Sequence, residues 1–79
     1  MWHEGVIAIP QQNNPAVPVR YKAKVYDEGS KYGIEGGHIS KLWMSIYGQE
    51  VASYDRGWDM TPTEAAAMMA LEILLYEYN

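Results

Sequence analysis

At 79 residues the chain has the size of one domain, near the length at which a lone core is only marginally stabilising and self-association often helps. It has no cysteine, which removes disulfides and thiolate metal sites. Its formal net charge of -4 argues against a general nucleic-acid binder and is too small for a mimic of DNA's charge density.

The opening MWHEGVIAIPQQNN has neither a basic leader nor a long apolar run, so it does not read as a signal peptide, and a cytoplasmic protein is expected. Residues 5–9 (GVIAI) form a β-branched run that Pro10 ends, a first strand. Residues 11–18 (QQNNPAVP) read as an exposed connection, because Asn and Pro favour turns. In residues 19–26, Val19, Tyr21, Ala23 and Val25 alternate with Arg20, Lys22 and Lys24, the period of a strand with one face buried. Residues 27–37 (DEGSKYGIEGG) carry Gly29, Gly33, Gly36 and Gly37 and read as a long irregular loop. A further strand over 38–47 is apolar on both sides, with Leu42, Met44 and Ile46 pointing one way and Ile39, Trp43 and Tyr47 the other. Gly48 and Gln49 should turn the chain into a last strand over 50–55.

The end of the chain reads as one helix, 62–78. Thr61 is placed to cap it, Pro62 suits the first helical position, and Glu64 completes a capping box. At 100° per residue, Ala65, Ala66, Met69, Ile73 and Tyr76 fall on one side and Met68, Leu71, Leu74, Leu75 and Tyr78 on the other. A small sheet covers one such face. The second calls for a covering loop or, in a chain this short, a second copy of the same helix. The expected fold is therefore a single α+β domain over residues 1–79: an antiparallel meander of three to four strands with one C-terminal helix packed on it.

Two constellations could carry function. The row Arg20, Lys22 and Lys24 concentrates half of the chain's six cations on one strand face, where Arg can grip phosphate oxygens and Lys can add point charge. Such a row is also an ordinary solvated face that guards an edge strand. YDRGWD (residues 54–59) either shapes the approach to the helix or offers Arg56 to an anion and Tyr54 or Trp58 to a base. Trp43 and Tyr47 either widen the core or form an aromatic platform. Catalytic machinery is not expected: His3 and His38 lack ligand spacing, no phosphate-cradling glycine loop or nucleophile elbow is present, and Asp27 and Glu28 are merely adjacent. Neither a cofactor nor a metal is expected, and no membrane or nucleic-acid partner.

The segments YDEGSKYGIEGGHISKL (residues 26–42) and YDRGWD, followed by a helical tail, resemble a family of small uncharacterised proteins of bacteriophages and Firmicutes. The resemblance spans about two thirds of the chain and implies no established activity. Its phage setting suggests an inhibitor of host defence acting in the host cytoplasm. Of the forms such a protein takes, the residues favour a homo-oligomeric sponge for a phosphorylated nucleotide-like immune signal, with Arg20, Lys22, Lys24 and Arg56 for phosphates and Trp43, Tyr47, Tyr54 and Trp58 for bases. The alternatives are a protein that docks on a host defence enzyme such as a CRISPR nuclease, and a structural or regulatory phage protein without a ligand.

Overall fold

The computed structural model describes all 79 residues, Met1–Asn79. Five strands, β1 (Trp2–Gln11), β2 (Asn14–Val25), β3 (Ile39–Ile46), β4 (Gln49–Asp55) and β5 (Trp58–Met60), precede one helix, α1 (Ala65–Tyr78). The strands lie in chain order in one antiparallel sheet, and α1 packs across β1, β2 and β3. The α+β class is the one expected. The sheet has one strand more than the three to four read from the sequence, the short β5 lying within YDRGWD and the residue after it.

The largest departure is at residues 11–18, read as a loop. β1 and β2 continue as a hairpin to the pair Gln11 and Asn14, closed by a two-residue turn with Asn13 at φ 63°. Prolines do not prevent this, because β3 begins to pair with β2 only at Val19. Before that residue β2 has an open side, where Pro15 and Pro18 leave no interior ladder bond unmade. Pro10 sits on the outer strand at an irregularity between Ile9 and Gln11. The hairpin lengthens a molecule whose extents are 40 × 22 × 18 Å.

Cross-strand register sorts side chains into two faces. Ile7, Val19 and Ile46 share one row, and Ala23, Leu42 and Tyr54 share another; both lie on the helix side and belong to the core with Ile9, Ile34 and Met44. Ile39, assigned by alternation to the side of Trp43, is instead fully buried on the helix side. A register shift sets Val25 opposite Ile39 directly after Lys24 opposite Lys41, so Ser40 is the extra residue and parity inverts.

α1 starts later than residue 62. Glu64 occupies the cap position with extended backbone and makes no side-chain capping bond, and the first turn closes with Met68 N–H donating to the Glu64 carbonyl at 2.9 Å. The expected cap at Thr61 fails because the chain leaves β5 at the far edge of the sheet, whereas the helix lies over β1 to β3. Four extended residues reach about 13 Å, roughly twice their helical length. Pro62 is buried along this crossing.

Ala67 and Ala70 are fully buried and Leu74 is nearly so, with Leu71, Leu75 and Tyr78 partly covered. Alanine at those two positions lets the helix backbone sit close to the sheet. The other side stays open: Met68 and Met69 are each 50% exposed, Ile73 41% and Tyr76 93%. Met68, grouped by its helical angle with the inward leucines, therefore belongs to the open side.

The helix end is fastened by Asn79. Its side-chain oxygen accepts from His38 N–H at 3.0 Å and its amide donates to the Ile34 carbonyl at 3.0 Å. Gly37 makes room, since a Cβ there would collide with the Asn79 side chain. Beside it, burial pushes the Tyr78 phenol up to about 12, helped by a hydrogen bond with Tyr21. His3 lies against the same ring at 4.9 Å.

Two outcomes follow from this packing. Ala70→Leu should destabilise the fold by about 1–3 kcal/mol in chemical denaturation, because no space remains between helix and sheet. Tyr78 favours its neutral form more in the folded chain than in the unfolded one, whose phenol titrates near ~10. Its contribution is therefore full below that pH and lost as pH rises toward about 12. Denaturation midpoints over that range should fall less steeply for Tyr78→Phe than for the native chain.

Candidate functional site

Because α1 covers one side of the sheet, the other is left to solvent. Its rows follow from the register: Trp2, Lys24, Lys41 and Asp55 in one, Glu4, Lys22, Trp43 and Ser53 in the next, Val6, Arg20 and Ser45 in the third. Arg20, Lys22 and Lys24 thus do share a face with Trp43.

Trp2 reaches diagonally across β2 and stacks on Trp43, with ring centroids 5.8 Å apart and planes 22° from parallel. The Lys22 ammonium lies 5.0 Å and the Lys24 ammonium 5.8 Å from the Trp2 ring centroid, both within cation–π reach. These contacts hold both ammonium groups against the Trp2 ring, and neither forms an ion pair, although Glu4 is the register partner of Lys22. The chain's one ion pair, Lys41 with Asp55 at 3.9 Å, is long and solvent-exposed, a geometry worth little.

Two of the depressions on this side are bordered by more than one cation. One, of about 230 Å³, is bordered by Glu4, Arg20, Lys22, Trp43, Ser45, Gly48 and Glu50. The other, of about 170 Å³, lies at a corner between Lys24, Tyr26, Ser30, Tyr32, Ser40, Lys41 and Arg56. There the Arg56 guanidinium stands 5.6 Å from the Tyr32 ring and the Lys24 ammonium 5.3 Å from the Tyr26 ring. A hydrogen bond from Lys24, with the charges of Lys24, Lys41 and Arg56, holds the Tyr26 phenol below its ordinary value despite some desolvation.

The remaining residues singled out in the sequence fall elsewhere. Tyr54 is buried on the helix side, donates its hydroxyl to the Tyr32 carbonyl at 2.7 Å and meets Trp58 edge-on at 5.0 Å. Tyr54 is thus committed to holding the loop over 27–37, and neither ring joins the face of Trp43. Tyr47, 78% exposed, occupies the β3–β4 turn with Gly48 and borders a small cleft beside Arg20. The turn is Tyr47–Gly48, one residue earlier than expected, with φ 50° and 80°.

Trp2, Tyr26, Tyr32 and Lys41 were missed. The signal for Trp2 was present, since Trp2, Glu4 and Val6 alternate in phase with the first strand, but reading that strand from residue 5 discarded it. For Tyr26, Tyr32 and Lys41 no local signal exists, because a register shift and a loop bring them together. The two histidines are engaged internally: His38 Nδ1 is 2.8 Å from the Tyr26 carbonyl oxygen, and His3 lies on Tyr78. No group of three His, Asp or Glu side chains is gathered closely enough to hold a metal ion, and no helix is long and apolar enough to cross a membrane.

The fold is thus an α+β domain of five meandering strands and one helix, with a basic and aromatic face turned away from the helix. The chain belongs to a family described as "Domain of unknown function (DUF7678)", whose family model matches residues 1–79. No curated protein and no solved structure matches it.

Tyr47 stands out as a bulky residue held in the left-handed region, which costs on the order of 1 kcal/mol or more. Asn suits that conformation before Gly. Tyr47→Asn should therefore raise the unfolding free energy by about 1 kcal/mol, measured by thermal or urea denaturation.

Proposed function

We propose that this protein is a non-enzymatic binding protein that captures a phosphorylated, nucleotide-like ligand on the open side of its sheet. The observation that supports this best is the union of Arg20, Lys22 and Lys24 with the stacked Trp2 and Trp43 on one face. Aromatic faces accept bases without reading their sequence, and nearby cations neutralise phosphates. Tyr47, strained and exposed beside Arg20, is a second stacking surface at the margin. The resemblance to phage and Firmicutes proteins gives this capture a role: sequestering an immune signal in the cytoplasm of an infected host.

The working form is a homo-oligomer. Met69, Ile73 and Tyr76, spaced along one side of α1 and exposed together with Met68, supply the apolar surface that a second copy would cover. The same surface supports a second reading, docking on a host defence enzyme, and a pull-down that recovers one enzyme in stoichiometric amount would favour it.

Thermal melting in a panel of cyclic dinucleotides and ADP-ribose derivatives tests the reading. A true ligand at a hundredfold excess over its Kd should raise the midpoint by more than about 10 °C. Arg20→Glu with Lys22→Glu should erase that rise, and a flat panel would remove the proposal's main support. Native mass measurement should give a multiple of the subunit mass, reduced to one subunit by Met69→Glu with Ile73→Glu.

A further inference from the structure

The corner depression is built differently from the rest of the open face. Its three cations come from three separate places: Lys24 from the end of β2, Lys41 from β3, and Arg56 from the turn between β4 and β5. Each is held from behind. Lys41 and Lys24 are register partners, and the Arg56 N–H donates to the Ser40 carbonyl at 3.2 Å, tying the β4–β5 turn to β3. Tyr26 N–H donates to the His38 carbonyl at 3.0 Å, and the Tyr54 hydroxyl fastens the loop at Tyr32. The Ser30 oxygen accepts from Tyr32 N–H at 3.1 Å, which leaves its own hydrogen free to donate. Against three cations only Asp55 comes within ion-pair distance, and only of Lys41.

From this arrangement we infer that the corner bounded by Lys24, Lys41, Arg56, Tyr26 and Ser30 is a dedicated site for the phosphoryl group of a phosphate monoester. Arg56 supplies a planar fork of donors, the two lysines supply point charges, and the tyrosine and serine hydroxyls donate to the remaining oxygens. The depression of about 170 Å³ has room for one phosphoryl group, and it adjoins a wider groove of about 670 Å³ that shares Tyr26, Ser30 and Arg56. Just outside, Asp27 and Glu28 border the adjoining groove with Gly29, Ser30 and Arg56. Carboxylates there accept hydrogen bonds from sugar hydroxyls, which inorganic phosphate lacks, and this favours a phosphate attached to a sugar. The inference rests on the proposed function for the class of ligand and narrows it to nucleotides that carry a phosphate monoester, which cyclic dinucleotides lack; it does not require that the tryptophan face hold a base.

The test uses the intact chain with inorganic phosphate and with AMP as probes, by calorimetry. Arg56→Asn keeps a residue that tolerates the left-handed backbone at φ 61°, and Lys41→Met keeps the aliphatic stem. Each should weaken binding of both probes roughly tenfold or more, while Lys31→Gln, the same charge change outside the depression, should alter it less than about twofold. A second readout is the ultraviolet titration of Tyr26, assigned with Tyr26→Phe. Phosphate seated among these cations offsets their charge, so the phenol should ionise at higher pH when the probe is present. Stronger binding of AMP than of phosphate supports the monoester assignment. Equal binding of both, confined to this corner, overturns it in favour of a simple anion site and also counts against the nucleotide reading. Loss of binding in Arg20→Gln with retention in Arg56→Asn would put the phosphate in the other depression, overturning this inference while sparing the proposed function. Absence of binding to either probe in a folded native chain would overturn it outright.

Discussion

The contact on which the rest depends is the seating of α1 on β1, β2 and β3 through Ala67, Ala70 and Leu74. One helix can cover only one side of a five-stranded sheet. That limit makes the opposite side a solvent face, and it leaves the helix with an outward row of Met69, Ile73 and Tyr76. None of the elements within residues 1–79 covers either surface. Both openly displayed surfaces are thus consequences of one packing event.

Seating the helix also organises the glycine-rich loop. The Asn79 side chain reaches the backbone of Ile34 and His38, and Gly37 gives it room. Tyr54, reaching out from β4, fixes the same loop at Tyr32. Residues far apart in the chain therefore position the rim that presents Tyr26, Ser30 and Arg56 to the basic corner. The loop is long, but it is tied at both of its sides to elements that the core already holds.

The open face balances its charges in an unusual way for an acidic protein. Three of its cations rest on aromatic rings, Lys22 and Lys24 near Trp2 and Arg56 near Tyr32, and only Lys41 comes within ion-pair distance of a carboxylate. Rings hold a cation without neutralising it. Five of the chain's six cations border this side, with Glu4, Glu50 and Asp55 among them, in a chain whose net charge is -4.

Alternation along β2 and β3 was enough to place Arg20, Lys22, Lys24 and Trp43 on one side, because strand parity persists along any run that no bulge interrupts. The same local rule misplaced Ile39, since the register shift at Ser40 is decided by how β2 and β3 pair and leaves no mark in the sequence. The capping pattern at Thr61 to Glu64 announced a helix, but its true start at Ala65 was set by the distance from β5 back across the sheet. Prolines at 15 and 18 disguised a strand whose open side only the topology reveals. The sequence alone thus determined the class of fold, the doubly apolar helix and the basic row, all consequences of short-range periodicity. Tertiary structure decided the fifth strand, the inward commitment of Tyr54 and the gathering of Lys24, Lys41 and Arg56, because each depends on contacts between segments that periodicity cannot relate.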